Sequence, residues 1–210
     1  MADYASFELI LPNLIVSRET EAKLRHLVRL VEKWTAHINL VSGQSLGDIW
    51  DRHVLDSAQI FEFIPANARH LTDFGSGGGF PGLVIAIIAE QRMPDLKVTL
   101  VESDLRKATF LRTAARELSL VLDIRTSRIE ATEVLGANVV TARALGPLPQ
   151  LLGFASRHLS LSGTALFMKG RAVEPEIEIA RRNWRFDLTM YPSKTDPEAR
   201  ILKVENIEHV

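Results

Sequence analysis

The amino-terminal part of the chain carries apolar residues at helical spacing. From 17 to 63 they recur every three or four positions, and Ser17 precedes two acidic residues that would lie in the first turn of a helix. Ser17 is therefore the expected N-cap of the first helix. A second helix is predicted over 46–63, because Pro65 cannot continue it. The first 68 residues are thus expected to be mainly helical.

Short apolar runs alternate with longer amphipathic stretches from about residue 70 onward. The runs predicted to be strands cover 71–74, 98–102, 122–126, 138–142 and 164–168. Helices are predicted between and after them, over 81–91, 105–118, 128–135, 147–158 and 173–182. Only a loop separates two final strands, over 186–191 and 201–204, so the last strand can run antiparallel. This alternation predicts an α/β fold with a mostly parallel, doubly wound sheet.

The turn after the first predicted strand carries the strongest chemical signal. Residues 71–82 read LTDFGSGGGFPG, and five of the last eight are glycine. Glycine tolerates positive φ and lets a ligand approach the backbone, because it has no Cβ. A strand, a glycine-rich turn and a helix hold nucleotide-like ligands in open α/β sheets. We therefore expect a nucleotide-bearing cofactor here, and we consider a purely structural bend the weaker alternative because Pro81 and Gly82 follow.

The identity of the cofactor depends on two further residues. In the dinucleotide pattern G-x-G-x-x-G, Gly75 and Gly77 fit the first two positions, but the third is Phe80. Glu102 ends the second predicted strand, where a carboxylate can accept two hydrogen bonds from a ribose diol, unless it is simply a solvated strand end. NAD and S-adenosylmethionine both carry that ribose. The missing third glycine favours S-adenosylmethionine, which has no pyrophosphate to place at the helix start.

Composition narrows the possible classes of protein. The chain has 210 residues, 46% of them hydrophobic, as expected for one domain with a real core. Its 25 basic and 26 acidic residues nearly balance, so any binding of nucleic acid needs a local patch. The absence of cysteine excludes disulfides, thiolate zinc sites and a cysteine nucleophile. Residues 1–14 lack a basic signal-peptide start and no apolar run has membrane-spanning length, so we expect a cytoplasmic protein without a membrane partner.

Four segments, taken in order, resemble one known family. They are WTAHINLVS at 34–42, RHVLDS at 52–57, DFGSGGGFPG at 73–82, and TARAL at 141–145 followed by KG at 169–170. Together they are similar to the bacterial 16S ribosomal RNA (guanine-N7) methyltransferases of the RsmG, or glucose-inhibited division protein B (GidB), family. The resemblance covers nearly the whole chain, and its departures are small, such as Thr141 where serine is common.

The resemblance implies a fold and an activity. It implies a Rossmann-like class I S-adenosylmethionine-dependent methyltransferase sheet in residues 69–210, with residues 1–68 as a helical cap and the whole chain as one compact unit. It implies transfer of a methyl group from S-adenosyl-L-methionine to N7 of a guanine in the decoding-region loop of 16S ribosomal RNA. The implied partner is 16S ribosomal RNA or the small ribosomal subunit, and the protein is expected to be a monomer.

The expected cofactor residues come partly from the residues themselves and partly from the resemblance. The glycine turn and Glu102 were argued above, and the resemblance adds Phe80 in the turn, Ile129 and Glu130 beside the adenine, and Arg143 at the cofactor site. The full set is Gly75, Gly77, Phe80, Glu102, Ile129, Glu130 and Arg143. No catalytic base or nucleophile is evident. Arg143 is the only residue considered for a catalytic role, in a mechanism that depends on positioning. Guanine N7 already has a free lone pair, so positioning is expected to suffice.

Candidate substrate residues lie in the cap and after the fifth predicted strand. On a helix, Arg52, His53 and Asp56 would share a face, and we interpret them as a polar network between cap and sheet with a possible substrate role. Lys169 is the fourth candidate. A metal is not expected, because no further His or Cys stands at ligand spacing. Two other functions remain open at this point: an NAD(P)-dependent oxidoreductase, and a non-catalytic RNA- or nucleotide-binding module.

Overall fold

A computed structural model of the chain describes residues 7–11, 14–43, 46–171 and 173–210. The strands are β1 Phe7–Leu11, β2 Leu14–Ser17, β3 His70–Phe74, β4 Lys97–Glu102, β5 Asp123–Thr126, β6 Ala137–Arg143, β7 Leu159–Lys169, β8 Trp184–Pro192 and β9 Arg200–His209. The helices are α1 Arg18–Thr35, a composite α2 over 50–63, α3 Gly82–Arg92, α4 Leu105–Glu117, α5 Leu148–His158 and α6 Val173–Ala180.

Seven of the strands form one sheet in the order β5-β4-β3-β6-β7-β9-β8. The pairs β3–β4, β4–β5, β3–β6 and β6–β7 are parallel, whereas β9 runs antiparallel to both β7 and β8. The predicted α/β class is confirmed, and so is the antiparallel last strand. The order reverses between β3 and β6, which makes the carboxyl ends of these strands the expected place for a ligand.

The predicted cap is only partly helical. Ser17 caps α1 as predicted, and its hydroxyl accepts a hydrogen bond from the backbone N–H of Thr20 at 3.1 Å. The chain before it forms a β1–β2 hairpin, which the sequence analysis did not predict. The second helix begins at Trp50 rather than at 46, because residues 46–48 form a turn; residues 44–45 lie outside the described range. It is composite, with a π-helical stretch Trp50–Leu55, a helical turn Asp56–Ala58 and a 3-10 stretch Gln59–Phe63.

The predicted helix over 128–135 is wrong. Only a 3-10 turn, Ile129–Ala131, forms after β5. The turn ends at Thr132, whose backbone is extended with ψ 140°. The Thr132 hydroxyl donates to the carbonyl of Arg128 at 2.9 Å and lies 2.6 Å from the hydroxyl of Ser127. The other predicted elements are present, with ends that differ by a few residues.

Helices cover the sheet on both faces. Side chains of α1, α2, α3 and α4 pack with one set of strand residues, including Leu71 and Leu100. Those of α5 and α6 pack on the other set, including Phe74 and Val101. Neighbouring residues of one strand thus point into different cores, as strand geometry requires. No helix in the described part of the chain is both long and apolar enough to cross a membrane.

Candidate cofactor and substrate site

The strand register brings the predicted site residues to one edge of the sheet. Phe74 at the end of β3 lies opposite Val101 of β4 and Ala142 of β6. Glu102 then lies opposite Thr126 of β5, and Arg143 lies opposite Met168 of β7. All these strands are parallel, so their carboxyl ends meet at the edge where open α/β sheets bind ligands.

The glycine turn folds back sharply after β3. Gly75, Gly77 and Gly79 have φ values of +63°, +52° and +87°, a region that residues with a Cβ rarely adopt. The N–H groups of Gly75 and Ser76 both donate to the carbonyl of Val101, at 2.8 and 3.2 Å. A Cβ on Gly75 would lie 2.5 Å from Leu145 Cδ1, so Leu145 covers the start of the turn. Sequence reasoning did not assign Leu145, because nothing local indicates this long-range contact.

Gly82 explains why the third position of the dinucleotide pattern is free to be Phe80. A Cβ on Gly82 would lie 2.4 Å from Leu100 Cδ2 and 2.8 Å from Asp73 Oδ2. The first residue of α3 therefore touches the sheet, and only glycine fits there. Close packing of helix on strand is the role of the third glycine in dinucleotide-binding turns. In this chain that role has moved to position 82.

Glu102 is fixed at the tip of the turn. Its Oε2 accepts a hydrogen bond from the N–H of Gly77 at 2.9 Å, and its Oε1 accepts one from the N–H of Asp104 at 2.7 Å. The residue is only 7% exposed, so it is not a solvated strand end. Each oxygen keeps a further lone pair, because a carboxylate can accept about four hydrogen bonds. The arrangement can hold a diol.

Asp73 supports the turn from below. It is fully buried, and Thr141 donates to its Oδ1 at 2.7 Å. Burial raises the pKa of Asp73 to about 6, against the effect of the Thr141 hydrogen bond. Its Oδ2 has no hydrogen-bond partner among the described residues. Through the hydrogen bond from Thr141, Asp73 thus links β3 to β6 next to the glycine turn.

The 3-10 turn after β5 places Ile129 and Glu130 at the same edge. Ile129 is buried and Glu130 is exposed. His158, which is fully buried at the end of α5, donates from Nε2 to the carbonyl of Ile129 at 3.1 Å. Burial lowers the pKa of His158, against the effect of its hydrogen bond to Ile129. Sequence reasoning missed His158, because its position in the chain gives no sign of this partner.

Arg143 joins the sheet to α2, as the predicted polar network requires. Its Nη2 donates to the carbonyl of Arg52 at 2.7 Å, and its Nε lies 3.5 Å from Asp56 Oδ2. Its side chain is 19% exposed, so it is not a free surface arginine. Burial lowers the pKa of Arg143, and the charge of Asp56 opposes this effect. Among the described residues, Nη1 of Arg143 has no hydrogen-bond partner.

His53 packs against the turn at Phe80. Its ring stacks on Phe80, with centroids 5.0 Å apart and planes inclined by 28°. Burial, followed by the charges of Arg143 and Arg52, lowers the pKa of His53 to about 4. Neither ring nitrogen is hydrogen-bonded to any described residue. The ring is therefore a neutral, flat wall at ordinary pH.

A cleft of about 620 Å³ opens beside His53 and Arg143, and neither Glu102 nor the glycine turn is among the residues that line it. All four candidate substrate residues, Arg52, His53, Asp56 and Lys169, line it together with Arg143 and the loop between β8 and β9. They are not equally available to a ligand. Lys169 Nζ lies 2.7 Å from Glu176 Oε2 and donates to the carbonyl of Gly146 at 2.9 Å, so its charge is already balanced. Arg52 has a 64% exposed side chain and can reach a partner in solution.

The neutral state of His53 predicts a specific acid sensitivity. The folded protein holds the pKa of His53 at about 4, below the unfolded value of 6.5. Its contribution to stability is therefore complete above about pH 6.5 and is lost as the pH falls toward 4. We expect His53→Phe, which keeps a ring on Phe80, to lose less stability than the wild type between about pH 7 and pH 4.5. Urea unfolding across this range measures the difference.

The control is His37→Gln, at an exposed histidine of the cap. It should follow the wild-type curve, because substitutions of exposed side chains away from packed contacts change stability little. If His53→Phe also followed the wild-type curve, His53 would not be held neutral by its surroundings.

No group of three or more His, Asp or Glu side chains in the described ranges could hold a metal ion. Solved structures with a similar fold include a methyltransferase from Geobacter sulfurreducens, with a TM-score of 0.57 at 12% identity over 92% of this chain and 98% of that one. TYW2 of M. jannaschii in complex with AdoMet gives a TM-score of 0.55 at 12% identity over 84% and 80%. At such identities the likeness shows the fold alone, a Rossmann-like sheet with helices on both faces.

Comparison of sequences identifies the family of this chain. The protein named ribosomal RNA small subunit methyltransferase G from Ruegeria sp. is 47% identical over 94% of this chain and 96% of its own length. The protein of the same name from Cereibacter sphaeroides is 48% identical over 97% and 98%. The model of the family GidB, described as rRNA small subunit methyltransferase G, matches residues 20–202. This chain therefore belongs to the GidB family of rRNA small subunit methyltransferases G.

Proposed function

We propose that this protein transfers the methyl group of S-adenosylmethionine to N7 of a guanine in 16S ribosomal RNA. The chain belongs to a family of rRNA methyltransferases, and one structural observation supports this activity for the chain itself. The buried carboxylate of Glu102 is fixed to the glycine turn at the same sheet edge as Arg143 and the cleft. A carboxylate that can bind ribose and a cationic donor without a partner among the described residues thus stand at the same edge of the sheet, on β4 and β6 with β3 between them.

The residues present fit S-adenosylmethionine. Glu102 has lone pairs left for the two ribose hydroxyls, since each oxygen accepts only one N–H. Arg143 Nη1 is a buried donor with no partner in the described chain, which suits the methionine carboxylate. Gly77 lets the backbone approach the ligand, because nothing lies nearer than 3.6 Å to its missing Cβ, whereas at Gly75 that place is filled by Leu145. Ile129 and Glu130 would lie beside the adenine, with Phe80 closing the turn.

The reaction requires this chain to position the methyl group and guanine N7, and it does not require the chain to transfer a proton. When bound, S-adenosylmethionine supplies a methyl group on a sulfonium, which is already an activated leaving group. Guanine N7 carries a free lone pair, so no side chain has to remove a proton before attack. His53 is neutral and stacked on Phe80, and it serves as a wall rather than as a base. Holding two reactants in line can account for roughly 7–11 kcal/mol of a barrier.

The RNA would enter from the side of the cleft. Arg52 is the best placed of the four substrate candidates to contact phosphate, because its side chain is exposed. Lys169 and Asp56 are engaged inside the protein, which favours a supporting role for them. We propose the decoding-region loop of 16S ribosomal RNA as the target, in the cytoplasm where ribosomes assemble, and a monomeric enzyme with residues 1–68 as a cap. Loops and single strands are the usual sequence-specific RNA targets.

Two measurements test this function. Isothermal titration should show binding of S-adenosylmethionine and none of NAD. Labelled methyl should then pass to 16S ribosomal RNA from cells lacking the modification, offered as naked RNA and as the small subunit, and digestion with mass analysis should identify 7-methylguanine. Arg143→Ala is the variant control, and it should reduce transfer. Binding of NAD would favour an oxidoreductase, and S-adenosylmethionine binding without transfer to either RNA would favour a non-catalytic module.

A further inference from the structure

We propose that Asp56 is a positioning residue, which orients Arg143 and fixes the loop between β8 and β9 against the cleft without touching cofactor or RNA. The inference rests on the proposed function, in which Arg143 binds the cofactor. It revises the sequence interpretation of Asp56 as a substrate residue. Asp56 side-chain exposure is 13%, and both of its oxygens are occupied by other parts of the protein.

The first step is the anchoring of Arg143. The carbonyl of Arg52 accepts from Nη2 at 2.7 Å, and Asp56 Oδ2 lies 3.5 Å from Nε. Both anchors belong to α2, so a single helix fixes the plane of the guanidinium. Nη1 is left as the nitrogen without a partner in the described ranges. Because a guanidinium is planar and rigid, fixing two of its nitrogens also fixes the direction of the third.

The second step is the anchoring of the loop. Asp56 Oδ1 accepts hydrogen bonds from Gln59 Nε2 at 2.7 Å, from the Thr195 hydroxyl at 2.9 Å and from the Ser193 hydroxyl at 3.2 Å. Two of these donors lie in the loop between β8 and β9, which lines the cleft. The carboxylate of Asp56 therefore connects Arg143, the proposed cofactor residue, with the loop between β8 and β9 that lines the cleft.

The composite form of α2 makes this connection possible. Side chains three apart eclipse on a 3-10 helix, and α2 tightens to 3-10 geometry from Gln59. Gln59 Oε1 accepts from the N–H of Lys194 at 2.9 Å, and Glu62 lies 2.5 Å from Lys194 Nζ. Asp56, Gln59 and Glu62 thus form one polar face toward the loop. Of these three, only Asp56 also contacts Arg143.

The chemistry at position 56 requires a carboxylate. Three donors converge on one oxygen and a cation faces the other, so every partner is a donor or a positive charge. An asparagine would turn an N–H₂ group toward either the loop hydroxyls or Arg143. The cation would then lose its opposite charge in a mostly buried place. Asp56→Asn is therefore a sharp test, although it preserves size.

The test combines Asp56→Asn with Arg143→Ala and measures the Kd for S-adenosylmethionine by titration. We expect Asp56→Asn alone to raise the Kd about tenfold, as for a hydrogen bond to a charged group. In the Arg143→Ala background the same change should alter the Kd less than about twofold, because its effect acts through Arg143. Glu62→Gln is the matched control on the same face, and it should leave the Kd unchanged.

Two outcomes separate this inference from the proposed function. If Arg143→Ala weakens binding but Asp56→Asn multiplies the loss independently, the inference falls and the proposed function stands. If Arg143→Ala binds S-adenosylmethionine normally, the cofactor role of Arg143 falls and the inference falls with it. Asp56→Glu keeps the charge and serves as the second variant should Asp56→Asn fail to fold. It should show the same dependence on Arg143, and an equal effect in both backgrounds would count against the inference.

Discussion

Replacing Gly75 by valine should abolish binding of S-adenosylmethionine, with a rise in Kd of at least about 100-fold, or roughly 3 kcal/mol. Gly75 has φ +63°, where a residue with a Cβ costs about 1–2 kcal/mol and a β-branched residue costs more. Its new Cβ would also lie 2.5 Å from Leu145 Cδ1, so the side chain that covers the turn has to move. The turn would shift away from Glu102, and the site would lose its shape. Titration calorimetry measures the Kd.

Gly136→Val is the matched control for backbone strain. Gly136 has φ +59°, but a Cβ there would meet nothing within 4 Å. It lies in the loop just before β6, at the opposite end of that strand from Arg143. This variant should lower the melting temperature and leave the Kd unchanged. If Gly75→Val kept wild-type affinity while losing stability to the same extent, the turn at Gly75 would not be the cofactor site.

The features that the sequence predicted are those set by neighbours in the chain. The alternation of apolar runs and amphipathic stretches predicted which segments form strands such as β3, β4 and β6, because the period of the pattern reflects one buried face or two. The glycine turn was also predictable from local sequence, because positive φ at three positions favours glycine at each of them. Glu102 followed from its place at the end of a strand.

The features that could not be predicted depend on contacts between distant segments. Asp56 and Ser193 are 137 residues apart, and His158 and Ile129 are 29 apart, yet each pair shares a hydrogen bond. No periodicity records such a pairing. Local propensity also failed for the predicted helix over 128–135, because the backbone is already extended at Thr132 and nothing in the local pattern shows this. Arg143 was assigned through the resemblance, and its anchors on α2 became visible only in the fold.

Glu102→Ala should have the second large effect, lowering both the affinity for S-adenosylmethionine and the stability of the fold. The change leaves the N–H groups of Gly77 and Asp104 without their acceptor, and because both hydrogen bonds are only partly buried we expect a cost of about 1 kcal/mol for each. It also removes the proposed acceptor of two ribose hydroxyls. Hydrogen bonds to a charged group contribute about 1.5–3 kcal/mol each, so we expect the Kd to rise at least about 100-fold.

Asp104→Asn separates the two roles of Glu102. Asp104 caps α4 by accepting from the N–H groups of Arg106 and Lys107 at 2.8 and 3.1 Å, and asparagine caps a helix about equally well. This variant therefore removes a neighbouring carboxylate but keeps the backbone in place, and both Kd and melting temperature should stay near wild type. A Glu102→Ala protein that melts early yet binds S-adenosylmethionine normally would show that Glu102 only braces the turn. Loss of affinity in Glu102→Ala alone, beyond what its lower stability explains at a temperature where it is folded, would instead assign the ribose to this carboxylate.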